Sequence, residues 1–228
     1  MQIKQLIFDK KEVTIFKNDN VKTAVPAVYV NIFRGDGSSL WETCNQLGCP
    51  DFTMIAIGNL DWDNDLTPWT GPPIFPNDGV YAGNADEHLK RIINKIMPEV
   101  ESFLPEKPLY SAISGYSLGG LFAAYAAYRT TAFQRFASMS GSFWYPNFIP
   151  FATTHELACQ PDCFYLSIGD KEERTSNKIV AAVGQNTRTY LEFLKKNGIL
   201  SILEMNPGNH YTDGNIRTAK GICWILNQ

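Results

Sequence analysis

Residues 109–129 constrain the fold more than any other part of the chain. The stretch LYSAIS is typical of a fully buried strand. It runs without a linker into GYSLGG and then into the alanine-rich LFAAYAAYR, which favours a closely packed helix. Gly115 and Gly119 stand two residues to either side of Ser117, where the backbones of strand and helix nearly touch and only small residues fit. The segment therefore predicts a strand, a sharp turn and a helix, with the Ser117 hydroxyl lifted clear of the sheet edge.

On both sides of this segment, predicted strands alternate with predicted helices. Short β-rich or apolar runs predict strands in VTIF, AVYVNIF, FTMIAIG, FQRFASMSG, CFYLSIG and ILSILEMN. Helical spacing begins at Ala85, and further helices are predicted around 38–47, in TYLEFLKKNG and in RTAKGICWIL. Such alternation predicts an α/β fold of three layers, in which helices cover both faces of a mostly parallel sheet and sites collect at the carboxyl ends of the strands. At 228 residues, the chain is expected to form one domain, 1–228.

Charge and hydropathy limit the classes of partner. The net charge is −3, so there is no basic surplus to neutralise phosphates, and no nucleic-acid partner is expected. No segment approaches the roughly 18 consecutive apolar residues of a membrane span, and no membrane partner is expected. The amino-terminal stretch MQIKQLIFDKKEV interrupts its apolar residues with charge, unlike a signal peptide, so a cytoplasmic location is the expectation.

The chain has five cysteines: Cys44, Cys49, Cys159, Cys163 and Cys223. Because their number is odd and no export signal is recognised, reduced and mostly buried thiols are expected. Their C-x4-C and C-x3-C spacings lack the tight C-x2-C knuckle of structural zinc sites. No metal site is predicted.

Ser117 needs a base that accepts its proton, and the chain offers three histidines. His88 falls in the first turns of the helix that begins near Ala85 and is interpreted as a surface or cap residue, and His155 is interpreted as a loop residue. His210 follows the last predicted strand through a turn-forming N-P-G-N and precedes the last predicted helix. The elbow and the strand–helix alternation predict the α/β-hydrolase fold, in which the chain order is serine, acid, histidine. His210 is therefore the predicted general base.

The acid that orients this histidine should follow the predicted strand CFYLSIG. There the sequence GDKEER supplies Asp170, Glu172 and Glu173. The carboxylate holds the imidazole tautomer and stabilises the imidazolium, so reach to the second ring nitrogen decides among them. The sequence does not choose cleanly, but many hydrolases of this fold place the acid three residues after a strand-ending glycine, which favours Glu172 over Asp170.

Backbone N–H groups must meet the negative charge that develops on a carbonyl oxygen under attack. One comes from the residue after the nucleophile, and another comes from an earlier loop. Leu118 is the predicted first donor. The loop that follows the predicted strand FTMIAIG begins with Asn59 and Leu60, which are predicted to supply the second donor.

Several aromatic residues lie beside the nucleophile or in loop-like segments that flank the predicted site. Such residues could line a pocket for an acyl or aryl group, and five are predicted to do so: Trp62, Trp69, Tyr116, Trp144 and Tyr145. For the loop residues among them, partial burial as loop anchors is an equally good interpretation.

Four segments together resemble a known family: GYSLGG, SGSFWYP after the next strand, SIGDKEER and PGNH. They are similar to the putative-esterase family that includes enterochelin esterases, esterase D and feruloyl esterases, over about Ile55 to the carboxyl terminus. The resemblance implies hydrolysis of carboxylic esters through an acyl-enzyme on Ser117, with water activated by His210 and no metal or organic cofactor. The SGSFWYP segment resembles the enterochelin esterase branch, in which a tryptophan-bearing loop lies near the site and the acid is sometimes displaced or dispensable.

The expected partner is a small-molecule ester whose identity stays open. Siderophore esters are one possibility among several, because no separate amino-terminal binding domain and no basic cluster for a trianionic iron complex are recognised. Two alternatives to hydrolysis remain: acyl transfer to an alcohol, as in mycolyltransferases of the same broad family, and a catalytically silent binding protein of this fold. The sequence does not determine the oligomeric state.

Overall fold

Strands and helices alternate along the chain in the computed structural model, which describes residues 2–19, 21–75 and 79–228. The strands are β1 (Gln2–Phe8), β2 (Lys11–Lys17), β3 (Ala27–Asn31), β4 (Thr53–Gly58), β5 (Ser111–Tyr116), β6 (Arg135–Met139), β7 (Cys163–Gly169) and β8 (Leu200–Asn206). The helices are α1 (Ser38–Gln46), α2 (Trp62–Asp65), α3 (Ala85–Arg91), α4 (Met97–Phe103), α5 (Leu118–Ala126), α6 (Phe148–Thr154), α7 (Lys178–Ala181), α8 (Val183–Lys196) and α9 (Gly214–Leu226). A π-helical turn, Ile92–Ile96, joins α3 to α4 and ends two residues before Pro98, which stands in the first turn of α4 where its missing N–H is tolerated.

The described residues form one eight-stranded sheet with the strand order β1-β2-β4-β3-β5-β6-β7-β8. The β1–β2 and β2–β4 pairs are antiparallel, and every other pair of neighbours is parallel. The predicted mostly parallel sheet is thereby confirmed. The prediction of a single domain stays a prediction, and its span 1–228 includes positions 1, 20 and 76–78, which lie outside the described residues.

Each face of the sheet carries its own apolar core, because successive residues of a strand point to opposite faces. Ile55 and Ile113 pack on one face, with buried residues of α3, α5 and α8. Their neighbours Met54 and Ala112 pack on the other face, with buried residues of α1 and α9. Helices therefore cover both faces in three layers, as predicted for the α/β-hydrolase fold. Within the described parts of the chain, no helix is long and apolar enough to cross a membrane.

The carboxyl ends of the parallel strands meet along one edge of the sheet. The connections that leave this edge are 32–37 after β3, 59–61 after β4, 117 after β5, 140–147 after β6, 170–177 after β7 and 207–213 after β8. In open α/β sheets this edge is where ligand sites form. Six connections from different parts of the sequence are therefore brought to a single edge of the sheet.

The expectation of reduced thiols is wrong for two of the five cysteines. Cys49, just after α1, forms a disulfide with Cys223 in α9, across a separation of 174 residues. Cys44 and Cys163 are buried free thiols, and burial raises the pKa of each to about 12. The sequence could not indicate the pair, because only the packing of α1 against α9 on the same face of the sheet brings the two residues together.

Candidate active site

Ser117 lies in the sharp turn between β5 and α5. Its backbone has φ 58° and ψ −123°, a conformation that a non-glycine residue holds only where the surrounding structure imposes it. The flanking glycines allow the turn. A Cβ on Gly115 would overlap the backbone of Gly119, and a Cβ on Gly120 would lie 2.7 Å from the Ser138 Oγ. The strand, turn and helix predicted for this segment are all present, and Ser117 lines a cavity at the carboxyl edge of the sheet.

His210 lies in the loop between β8 and α9, and its ring joins the serine to an acid. The His210 Nε2 is 3.0 Å from the Ser117 Oγ, and the His210 Nδ1 is 2.8 Å from the Glu172 Oε2. When Nδ1 carries the proton that is shared with the carboxylate, Nε2 is free to accept the serine proton. The Tyr116 hydroxyl donates to the His210 carbonyl at 2.7 Å, which ties this loop to the residue before the serine.

Of the three carboxylates that follow β7, the structure brings only Glu172 to the histidine. Asp170 instead accepts a hydrogen bond from the Gly208 N–H at 2.8 Å. Glu173 forms a surface ion pair with Arg188 at 2.6 Å. The favoured candidate, Glu172, thus has the reach that the acid requires, and Asp170 holds the backbone of the histidine loop instead.

Glu172 is ionised although its side chain is only 2% exposed. Its Oε1 accepts hydrogen bonds from the Ser140 hydroxyl at 2.7 Å, from the Gly169 N–H at 2.7 Å and from Arg217 Nη1 at 2.9 Å. Burial raises the pKa of this carboxyl, but the hydrogen bonds from His210, Ser140 and Gly169 outweigh burial, and the pKa lies below its ordinary value. A negative charge therefore stands beside the imidazole.

Arg217 and Ser140 belong to this site but were not predicted from the sequence. A charged residue in the first turn of a helix is usually solvated, so Arg217 attracted no functional interpretation. One feature could have identified it. At four residues per step, helical spacing places Arg217 on the same face of α9 as Gly221 and Ile225, and all three are buried.

The structure brings Leu118 to the cavity but not Asn59 or Leu60. Leu118 is the first residue of α5, so its N–H has no carbonyl acceptor within the helix. Asn59 donates its side-chain amide to the Lys10 carbonyl at 2.7 Å, and neither Asn59 nor Leu60 lines the cavity around Ser117. The neighbour of β5 is β3, not β4, and therefore the loop after β3, residues 32–37, lines the cavity instead.

The five aromatic candidates divide into two groups. Trp62, Tyr116 and Trp144 line the cavity, whose volume is about 940 Å³. Trp69 and Tyr145 lie behind it and were wrongly placed in the pocket. Their rings pack together with a centroid separation of 6.2 Å, and the Tyr145 hydroxyl donates to the Trp69 carbonyl at 2.6 Å. These two residues serve as the loop anchors that the alternative interpretation proposed.

The two remaining histidines lie away from the serine. His88 is fully buried rather than at the surface, and its Nε2 contacts the Asn31 Oδ1 at 2.9 Å. Burial lowers the pKa of His88 to about 3, so the ring is neutral. His155 ends α6 in an exposed position beside Phe151. Neither contributes to a metal site, because no three His, Cys, Asp or Glu side chains among the described residues are grouped to hold a metal ion.

Known proteins share both sequence and fold with this chain. Residues 45–206 match the family described as Putative esterase, a range that includes Ser117 and Glu172 and ends before His210. The uncharacterised protein YbbA of Bacillus subtilis (strain 168) is 28% identical over 186 residues, which cover 76% of this chain and 72% of YbbA. Siderophore hydrolase EstA from Aspergillus nidulans has a TM-score of 0.75 at 22% identity, covering 99% of this chain and 94% of EstA. An IroE-like serine hydrolase from Shewanella oneidensis has a TM-score of 0.79 at 20% identity, covering 99% of this chain and 80% of that one.

Proposed function

Because the chain belongs to the Putative esterase family, we propose that it hydrolyses carboxylic esters with Ser117 as nucleophile, His210 as general base and Glu172 as the orienting acid. One observation carries the proposal. An unbroken hydrogen-bonded chain runs from the Ser117 Oγ through the His210 ring to Glu172, with separations of 3.0 and 2.8 Å. These separations lie within the range that proton transfer requires.

Acylation begins when His210 Nε2 takes the Ser117 proton while Oγ attacks the ester carbonyl. The resulting imidazolium is stabilised by the adjacent Glu172 carboxylate. When the tetrahedral intermediate collapses, the same nitrogen returns its proton to the departing alkoxide, which leaves as an alcohol. Water then takes the place of the alcohol, and His210 removes a proton from it as the water oxygen attacks the acyl carbon. When the second tetrahedral intermediate collapses, the imidazolium returns this proton to the Ser117 Oγ, and the carboxylic acid is released.

The oxyanion of each tetrahedral intermediate lies, in this proposal, between two backbone N–H groups. Leu118 supplies one from the amino-terminal end of α5, where the helix dipole also favours negative charge. The loop after β3 supplies the other. The Ile32 N–H already donates to the Ile57 carbonyl at 2.9 Å, so Phe33 carries the next amide that can turn toward the cavity. This assignment replaces Asn59 and Leu60.

The cavity supports bulky esters as the substrate class. Its volume of about 940 Å³ lies near the upper end for small-molecule sites, and its aromatic lining suits aryl or extended apolar groups. Three cations, Arg34, Lys171 and Arg174, also line it, from two loops far apart in sequence. Asp36 and Asp63 line it as well, so the cavity presents both signs of charge to a substrate. Siderophore esters, which the name of EstA indicates for that protein, are one kind of bulky ester.

A cytoplasmic location stays a prediction. The Cys49–Cys223 disulfide weighs against it, because such bonds persist mainly in oxidising compartments. Counting alkylated thiols in protein purified with and without reductant measures whether this bond is present in the natural setting.

Turnover of p-nitrophenyl acyl esters, with labelling by a fluorophosphonate probe, tests the function. Ser117→Ala should lower kcat/KM by about 10³-fold or more and abolish labelling. Ser102→Ala, at an exposed position on α4, is the matched control and should change neither. Absence of both turnover and Ser117-dependent labelling in the unmodified protein would overturn the proposal. Product analysis with an added alcohol acceptor distinguishes hydrolysis from acyl transfer.

A further inference from the structure

Arg217 is a buried cation that touches every segment of the proposed catalytic chain. The residue is 1% exposed. Its Nη1 donates to the Glu172 Oε1 at 2.9 Å and to the Tyr116 hydroxyl oxygen at 3.2 Å. Its Nη2 donates to the carbonyls of Pro207 and Asn209 at 2.8 and 3.1 Å. One guanidinium therefore joins the loop of the acid, the loop of the histidine and the residue that precedes Ser117.

The two carboxylate oxygens of Glu172 have different hydrogen-bond partners. Oε1 accepts from Arg217, from the Ser140 hydroxyl and from the Gly169 N–H, at 2.7–2.9 Å. Oε2 accepts from His210 Nδ1. Three donors thus fix the carboxylate so that its second oxygen faces the imidazole, and Arg217 is the one charged donor of the three.

The positive charge of Arg217, next to the Glu172 oxygen that does not contact His210, affects how tightly the pair of Glu172 and His210 binds a proton. A lone carboxylate beside an imidazole favours the protonated ring and makes it harder to deprotonate. Arg217 offsets the Glu172 charge, so the pair of Glu172 and His210 binds a proton less tightly. A buried guanidinium is costly unless it is paired and hydrogen-bonded; Glu172 pairs with Arg217, and both of its Nη atoms donate hydrogen bonds, while its buried Nε has no partner among the described residues.

We propose that Arg217 is a positioning residue that holds Glu172 and the His210 loop in register and, by offsetting the Glu172 charge, weakens proton binding by the pair of Glu172 and His210. The proposal rests on the proposed function of the same site. It assigns no contact with substrate to Arg217.

Other titratable groups surround the pair, and none of them replaces Arg217. Burial raises the pKa of the Tyr116 phenol from β5, and the Tyr211 side chain in the histidine loop is exposed. Asp170 and Asp213 lie on the loops of the acid and the histidine, and Asp170 is bound to the Gly208 N–H. Lys171 and Arg174 follow β7, and Arg34, Asp36 and Asp63 come from the opposite wall of the cavity. The lysine and both of these arginines are exposed, so solvent screens them.

The test compares Arg217→Met with Arg217→Lys, using the pH dependence of kcat/KM for a p-nitrophenyl ester. Arg217→Met removes the charge and should move the midpoint of the acidic limb to higher pH by about one unit or more. Arg217→Lys keeps the charge but cannot reach both carbonyls. It should leave the midpoint within about 0.3 units of the unmodified protein and lower the plateau.

Arg135→Met is the matched control. Arg135 is also largely buried and donates to the Ile225 carbonyl at 2.7 Å, at the opposite end of α9, so its loss disturbs the same helix without touching the acid. It should leave the midpoint unchanged. A lowered plateau with an unshifted midpoint in Arg217→Met, or an equal shift in Arg135→Met, would overturn the proposal.

A second measurement does not depend on catalysis. The titration midpoint of the His210 ring, followed by NMR in a Ser117→Ala background, should rise when Arg217→Met is added. Only three histidines are present, so assignment is simple. If the protein proves inactive but this midpoint moves, the proposed function fails while the role of Arg217 stands, and if it does not move, the role of Arg217 fails. Should Arg217→Met not fold, Arg217→Gln, which keeps hydrogen-bond donors without charge, gives the same comparison.

Discussion

The regions around His210 and His88 use the same residue type for opposite purposes. The His210 side chain is 30% exposed, and its Nε2 lies 3.0 Å from the Ser117 Oγ. His88 is fully buried, with its Nε2 against the Asn31 Oδ1 at 2.9 Å. Burial lowers the pKa of His88 to about 3, so this ring keeps one charge state over the working range of most enzymes. A general base must be able to gain a proton, and the buried ring of His88 does not.

Both regions also contain a buried pair of opposite charges. Glu172 and Arg217 have side chains 2% and 1% exposed, and the acid contacts its histidine directly. Asp65 and Lys11 pair with 11% exposure each. Asp65 acts on His88 only through space, and its charge, which favours protonation, does not outweigh burial. A nearby acid is therefore not sufficient to make a base. Contact with the acid, access to the cavity and reach to a nucleophile are all required.

The largest expected difference in kcat/KM is between variants of the two histidines. His210→Gln should lower kcat/KM by about 10³–10⁵-fold, because the amide cannot accept the serine proton. His88→Gln retains an N–H donor for Asn31 and should change kcat/KM by less than about threefold at a temperature where the variant is folded. Kinetics with a p-nitrophenyl ester measure both. Similar losses in the two variants would mean that the two regions do not differ in function.

Substitutions of the two acids, Glu172 and Asp65, should affect different properties: the first should lower activity and the second should lower stability. Glu172→Gln preserves shape but removes the charge that stabilises the imidazolium, and kcat/KM should fall by about 10²–10⁴-fold. Asp65→Asn leaves Lys11 buried without its counter-charge and should lower the free energy of unfolding by about 3–5 kcal/mol, with kcat little changed. Kinetics and urea denaturation on both variants check this. A strong loss of kcat in Asp65→Asn would contradict the separation.

Local pattern was enough to predict the elbow and the order of its partners. The strand, turn and helix around Ser117 are encoded within 109–129, and the parallel sheet follows from the alternation of strands and helices. His210 was chosen by chain order, and the structure places it against the serine. Each of these inferences depends on neighbouring residues or on sequence order, which a sequence displays directly.

The errors concern residues whose surroundings come from distant parts of the chain. Asn59 was predicted because its loop follows the earlier strand FTMIAIG, which is β4, but β3 lies between β4 and β5 in the sheet. His88 was interpreted as a surface or cap residue because it falls in the first turns of its helix, whereas α3 packs that ring against Phe122 with a centroid separation of 5.0 Å. The Cys49–Cys223 bond and the buried position of Arg217 likewise depend on how α9 packs. Strand order and helix packing would have been needed to predict them.

Lowering the pH should change the free energy of unfolding through His88, without changing the catalytic rate through it. Its pKa in the folded protein, about 3, lies below the ordinary value of 6.5, so the unfolded chain binds this proton first. The stability that this group contributes is complete above pH 6.5 and is lost as the pH falls toward 3, and by pH 5 the loss is about 2 kcal/mol. His88→Gln should remove this part of the pH dependence in urea titrations at pH 7 and pH 5. The exposed His155→Gln is the control and should leave the dependence unchanged.

The smallest expected effect on kcat/KM belongs to Asp170, which lies in the loop after β7, two residues before Glu172. Asp170→Asn keeps the Oδ1 that accepts the Gly208 N–H at 2.8 Å, so the backbone of the histidine loop stays in place. Because Asp170 does not touch the His210 ring, kcat/KM should change by less than about threefold, far less than in Glu172→Gln. The same ester assay on both variants measures this. A loss in Asp170→Asn equal to that in Glu172→Gln would show that the His210 region depends on the summed charge of its loop rather than on direct contact with one carboxylate.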